Sequence, residues 1–136
     1  MKLAACQRAI REAVGLTSPW MRPPYGAHDR TATLVARANG YTLVNWSADG
    51  MDWTDTNETK VAQAVVAAAS PGGIILLHDG WNNPQPDWPE PDHVRERTHT
   101  VRALPTIIMQ LRQAGYRFIA LPELARARKP IKQMWF

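Results

Sequence analysis

The chain has 136 residues, 45% of them hydrophobic and 21% charged, with a formal net charge of +4. That is one domain's length at ordinary globular composition, and no apolar run approaches the ~20 residues of a membrane span. The basic residues are scattered apart from Arg126, Arg128, Lys129 and Lys132, which read as a solvated tail rather than the dense basic stripe of a nucleic-acid surface. Cys6 is the only cysteine, so an intrachain disulfide and a cysteine zinc site are both excluded. Leu3-Ala4-Ala5-Cys6 matches a lipid-attachment box by coincidence only, because just two residues precede it. No signal peptide is expected on this chain.

Residues 3–14 are alanine-rich with apolar positions at helical spacing, and Gly15 stands where a C-cap is needed. Pro19 to Arg22 is a short extended piece, since Pro23 and Pro24 forbid a helix running into them. Asp29 to Asn39 is helical and Gly40 stops it. Tyr41 to Trp46 is rich in β-formers and reads as a strand. Asn57 caps a helix that runs to Ala69, with Glu58 in its first turn, and Pro71 ends it.

Ile74 to Leu77 are four consecutive aliphatics between Gly72-Gly73 and His78-Asp79-Gly80. Such a run reads as a strand buried on both faces. Residues 82–93 carry Pro84, Pro86, Pro89 and Pro91 with Trp88 and form a long structureless connection. Thr100 to Ala114 is a helix that keeps Pro105 in its first turn, and Gly115 caps it. Tyr116 to Ala120 is the last strand, and Pro122 to Ala127 a short closing helix. This is an α/β pattern: about four strands alternating with helices, paired in parallel in one sheet. An eight-stranded barrel needs about 250 residues, so four strands make a small open sheet or part of a barrel.

In such folds chemistry sits past the C-terminal ends of the strands, and three of these ends carry unusual residues. Met21-Arg22-Pro23-Pro24-Tyr25-Gly26 fixes an arginine fork and presents the Tyr25 amide on a rigid turn. Asn45-Trp46-Ser47-Ala48-Asp49-Gly50-Met51-Asp52-Trp53 ends a strand in carboxylates and large aromatics. Leu76-Leu77-His78 puts a titratable group at the exit of a buried strand. Each also has a structural reading: a rigid turn with a surface arginine, an Asx turn with two core tryptophans, and a histidine capping a turn.

Taken together and in this order, the Arg-x-Pro-Tyr-Gly, Asp-x-x-Asp-Trp and Leu-x-His motifs resemble the polysaccharide deacetylase family, carbohydrate esterase family 4. The resemblance covers nearly the whole chain and implies that residues 1–136 are the C-terminal portion of the catalytic domain. It implies a distorted (β/α) barrel, here partial, and a hydrolase removing acetyl groups from amino sugars of a polysaccharide by metal-assisted water attack. By resemblance Arg22 orients the catalytic base, the Tyr25 N–H is the oxyanion donor, Asp49 holds the catalytic histidine, and His78 is the general acid. Leu76, Trp53 and Trp81 line the acetyl and sugar pockets.

The family's Thr-Phe-Asp-Asp-Gly-like motif and His-x-x-x-His motif have no counterpart here. A divalent, zinc-like metal is expected for the family, but its ligands are absent from this chain, and His28, His93 and His99 do not replace them at a suitable spacing. The implied partner is an acetylated polysaccharide or oligosaccharide, with no nucleic acid. The implied location is extracellular or in the cell envelope. The alternative is a non-catalytic carbohydrate-binding or interaction remnant using Trp53, Trp81 and Trp88 as stacking platforms. A nucleotide-binding α/β protein is disfavoured, because no Gly-rich loop joins a strand to a helix.

Overall fold

The computed structural model describes residues 2–80 and 96–127. They fall into two units, one ending at Asn45 and the other starting at Trp46. The first unit opens with α1 (Lys2–Val14), closed as its sequence requires. Gly15 takes a φ of 69° and its N–H reaches the Arg11 carbonyl at 2.9 Å. β1 (Trp20–Met21) leads into a 3-10 turn over Pro24–Gly26 and then α2 (Arg30–Ala38). Asp29 caps α2 by accepting the Ala32 N–H at 2.6 Å. β2 (Thr42–Leu43) returns parallel to β1, with Trp20 opposite Thr42 and Met21 opposite Leu43.

The second unit contains β3 (Ala48–Asp49), α3 (Glu58–Ala68), β4 (Ile75–Leu76), α4 (Thr98–Gln113) and α5 (Leu121–Ala127). Asn57 caps α3 as expected, accepting from the Thr59 and Lys60 amides at 2.9 and 3.1 Å. β3 and β4 are parallel, with Ala48 opposite Ile75 and Asp49 opposite Leu76. The core joins Val61, Ala62 and Val65 of α3 to Ala103, Ile107 and Leu111 of α4. These residues recur at intervals of three and four, so each helix presents one apolar stripe to the other. Ile75, Leu77 and Tyr116 pack against that core.

The architecture is α/β with parallel pairing, but it departs from the expected single four-stranded sheet. The strands form two separate pairs, β1–β2 and β3–β4. The stretch read as one strand from Tyr41 to Trp46 keeps its ladder only at Thr42–Leu43. Just beyond it the Ser47 and Ala48 amides converge on one acceptor, the Ile74 carbonyl, at 2.9 and 3.1 Å. Two residues facing one is a bulge, and a bulge interrupts regular pairing.

Tyr116 to Ala120 is not a strand: no described neighbour supplies a ladder to it, and its first amide turns back to the Leu111 carbonyl. Of the run 74–77 only Leu76 is buried, the rest being half-buried. Pro105 lies inside α4, beyond its first turn, because the helix begins at Thr98 rather than Thr100. It therefore removes one bond to the carbonyl four residues earlier. The proline-rich connection, with Trp81, Trp88 and His93, lies outside the described residues, as do Arg128, Lys129 and Lys132.

Candidate active site

Parallel pairing gives β3 and β4 a common C-terminal edge. His78 stands two residues beyond β4, and Asp52 three residues beyond β3. The turn that delivers Asp52 is built by its own sequence. The Gly50 N–H reaches the Leu76 carbonyl at 3.2 Å. Asp49 Oδ1 accepts the Met51 N–H at 2.8 Å, and Met51 adopts a φ of 51°. A non-glycine residue in the left-handed region costs about 1–2 kcal/mol, and such strain persists where surrounding contacts fix it.

A Cβ on Gly50 would lie 2.5 Å from Leu77 Cδ2 and 3.0 Å from Val65 Cγ2. Val65 is fully buried in the core, so this close approach needs glycine. Gly50→Ala is expected to destabilise the chain by about 1–3 kcal/mol through overpacking. A lowered urea midpoint checks this, and an unchanged midpoint would mean that Leu77 moves aside freely.

Asp52 is completely buried and is the hub of the edge. Its Oδ1 accepts from His78 Nδ1 at 2.7 Å, and its Oδ2 from the His78 amide at 2.9 Å and Thr100 Oγ1 at 2.8 Å. Its backbone carbonyl accepts from Arg97 Nη1 at 2.9 Å and His99 Nε2 at 2.7 Å. Burial alone would raise the Asp52 carboxyl. The hydrogen bonds from the His78 ring, the His78 amide and Thr100 outweigh it and hold the group below its ordinary 3.8. Asp52 is thus an ionised acceptor at neutral pH, which puts a proton on His78 Nδ1. The His78 side chain is 33% exposed. Its Nε2 has no hydrogen-bond partner among the described residues.

The carboxylate on His78 is therefore Asp52, not Asp49. Asp49 lies in the β3 ladder and spends its carboxylate on the Met51 amide, the Asx-turn role also readable in the sequence. Leu76 is buried at 9% exposure opposite Asp49 in the β3–β4 register, and Trp53 follows Asp52 with 47% exposure, outside the core. Trp81 falls outside the described residues.

In the first unit, Arg22 follows β1 and its Nε donates to the Val44 carbonyl at 3.4 Å. Tyr25 is 89% exposed on the 3-10 turn, and both it and Gly26 take a positive φ, 56° and 66°. Asn45 Nδ2 donates to the Gly26 carbonyl at 3.0 Å, and so does His28 Nδ1, also at 3.0 Å. These two bonds fix the far end of the turn.

The polysaccharide deacetylase family profile matches residues 2–44. A chitooligosaccharide deacetylase of Bradyrhizobium is 34% identical over 124 residues, covering 90% of this chain and 56% of the relative. A peptidoglycan-N-acetylglucosamine deacetylase of Listeria monocytogenes is 30% identical over 130 residues, covering 96% and 24%. Among solved structures, a T48 deacetylase with substrate matches with a TM-score of 0.70 and 30% identity, over 89% of this chain and 51% of that one.

The chain is related to the polysaccharide deacetylases.

It spans about half of that solved deacetylase chain, 56% of the Bradyrhizobium protein and 24% of the Listeria one. The deacetylase fold they share is α/β, in keeping with the elements above. A divalent metal goes with this family, and the described residues do not fit one. Among them no group of three or more histidine, cysteine, aspartate or glutamate side chains could hold a metal ion. Asp52 and His78 are bound to each other, and His99 is bound to a backbone carbonyl. No helix among the described residues is long and apolar enough to cross a membrane.

The sequence pattern does not mark Thr100 or Arg97 as site residues, and it offers His99 only as a histidine to weigh as a metal ligand. The readable signal was three polar residues at the start of an apolar-striped helix, and it became meaningful only once α4 was seen to abut the turn after β3.

Proposed function

We propose that this chain is the C-terminal part of a polysaccharide deacetylase catalytic domain, a partial (β/α) barrel in the whole protein. It removes acetyl groups from the amino sugars of an extracellular or cell-envelope polysaccharide. The observation carrying this reading is the Asp52–His78 pair at one strand edge, with Nδ1 held and Nε2 without a hydrogen-bond partner among the described residues. The named relatives act on chitooligosaccharide and peptidoglycan, and the acetamido group is common to both.

Deacetylation adds water to the acetyl carbonyl, a base from the rest of the whole protein taking the water's proton, and then breaks the C–N bond, releasing acetate and an amine. The departing nitrogen needs a proton, and His78 Nε2 supplies it while Asp52 holds the other side of the ring. Asp52 also balances the charge on the ring before transfer. The Tyr25 amide is the donor assigned to the developing oxyanion, where a preorganised N–H is most effective. Arg22 is assigned to orienting the base, and Leu76, Trp53 and Trp81 to the acetyl and sugar walls.

The test compares this chain with a version extended to the full length of the relatives. Both are given acetylated chitooligosaccharide with added zinc or cobalt, and acetate is measured. The extended protein is expected to release acetate, and this chain alone far less. An extended protein that binds the sugar without releasing acetate would replace this reading with a carbohydrate-binding one.

A further inference from the structure

The first turn of α4 makes three hydrogen bonds to one residue of the turn after β3, and none of them is needed to start a helix. Thr100, Arg97 and His99 are all buried, at 4%, 5% and 9% exposure. Side chains as polar as these are rarely so buried unless paired. Here all three are directed at Asp52. Arg97 takes the N-cap position yet gives the helix no side-chain cap, its guanidinium going to the Asp52 carbonyl instead. His99 Nε2 faces the same carbonyl, which can only accept, so that nitrogen carries the proton. The helix is thus clamped to Asp52 at both its backbone and its carboxylate.

We propose that Thr100, Arg97 and His99 are positioning residues for the Asp52–His78 pair. Arg97 and His99 anchor the Asp52 backbone, and Thr100 fixes the rotation of its carboxylate. Together they hold Oδ1 on His78 Nδ1 and so keep the ring in the tautomer that frees Nε2. The geometry has few alternatives. Oδ2 is already shared by Thr100 and the His78 amide, which leaves Oδ1 for the ring. Without the Thr100 hydroxyl the carboxylate keeps only contacts to His78 itself, and nothing outside that residue sets its rotation. Other charged or titratable groups on or beside these elements are Asp49 on β3, bonded to the Met51 amide, Asp79 beside His78, Glu96 ahead of α4 and bonded to the Thr98 hydroxyl, and Arg102 and Arg112 on α4.

The inference rests on reading His78 as the proton donor, but its test reads ring tautomer and carboxyl titration rather than turnover. In Thr100→Val the Asp52 carboxyl 13C titration is expected to move up, because a donor to its ionised form is gone. The 15N signals of His78 are expected to show a smaller share of the Nδ1–H tautomer. Thr100→Ser restores both. A purely structural Thr100 would lower stability and leave both signals where they are, and that result overturns the inference. Should the valine variant not fold, the native protein decides. An Asp52 carboxyl titrating at or above its ordinary value, or a His78 ring protonated mainly on Nε2 when neutral, overturns it equally. If these signals behave as expected while the full-length protein releases no acetate, the proton-donor reading fails and the clamp stands.

Discussion

Exchanging His78 for glutamine in the full-length protein is expected to lower kcat for acetate release by about 10²- to 10⁴-fold, the range for losing a positioned general acid. KM should change little. Glutamine can still hydrogen-bond, but it cannot give a proton to a departing amine, so the loss falls on the transition state rather than on sugar binding. Asp52→Asn should cost a comparable amount by another route. An amide nitrogen facing His78 Nδ1 is a donor, so the ring must accept there and carry its proton on Nε2 as a neutral imidazole. A neutral imidazole is a far weaker acid than the imidazolium. Because the two residues act as one unit, the double variant should be no worse than the poorer single one. A His78→Gln enzyme within threefold of the native rate would remove His78 from the chemistry. An additive double variant would mean that Asp52 acts elsewhere.

The helices were legible because their causes are local. Apolar positions at helical spacing, Gly15 and Gly40 as stops, and Asn57 as a cap are all decided within a few residues. The β4 edge was legible because His78 ends a short aliphatic run bounded by glycines, although only Ile75–Leu76 of it pairs. What escaped the sequence depends on partners far along the chain. Tyr116 to Ala120 has strand composition, but composition does not supply a neighbour to pair with. Asp49 and Asp52 are equivalent as letters, both standing in the motif at the end of a strand. The difference between them is set by the left-handed Met51 and the Asx turn, which send the second carboxylate into the interior and keep the first on the backbone. The pairing of Asp52 with Thr100 spans 48 positions, which no local pattern reports.

Removing the Asp52 carboxylate is expected to be strongly damaging to the fold of the second unit. Asp52→Ala leaves the Thr100 hydroxyl, the His78 amide and the His78 ring without their acceptor. Losing a buried charged acceptor of this kind costs about 2–4 kcal/mol, less than for a fully buried pair because His78 is partly exposed. The same carboxylate gives the protein a definite acid limit. Its folded pKa lies below its ordinary value, so between the two values the unfolded chain binds more protons and stability rises with pH. The contribution is complete above about 4, the unfolded carboxylate range, and is lost as pH falls through the depressed folded value. Asp55 is also held low, chiefly by its hydrogen bond from Lys60. That pair is on the surface, with Lys60 67% exposed, and salt screens it. Urea midpoints measured between pH 2 and 6 in high salt should therefore retain the Asp52 part of the slope and lose the Asp55 part. Asp52→Asn should flatten what remains. A slope in high salt that is the same in native and Asp52→Asn proteins would show that the hub of this edge contributes nothing to its acid stability.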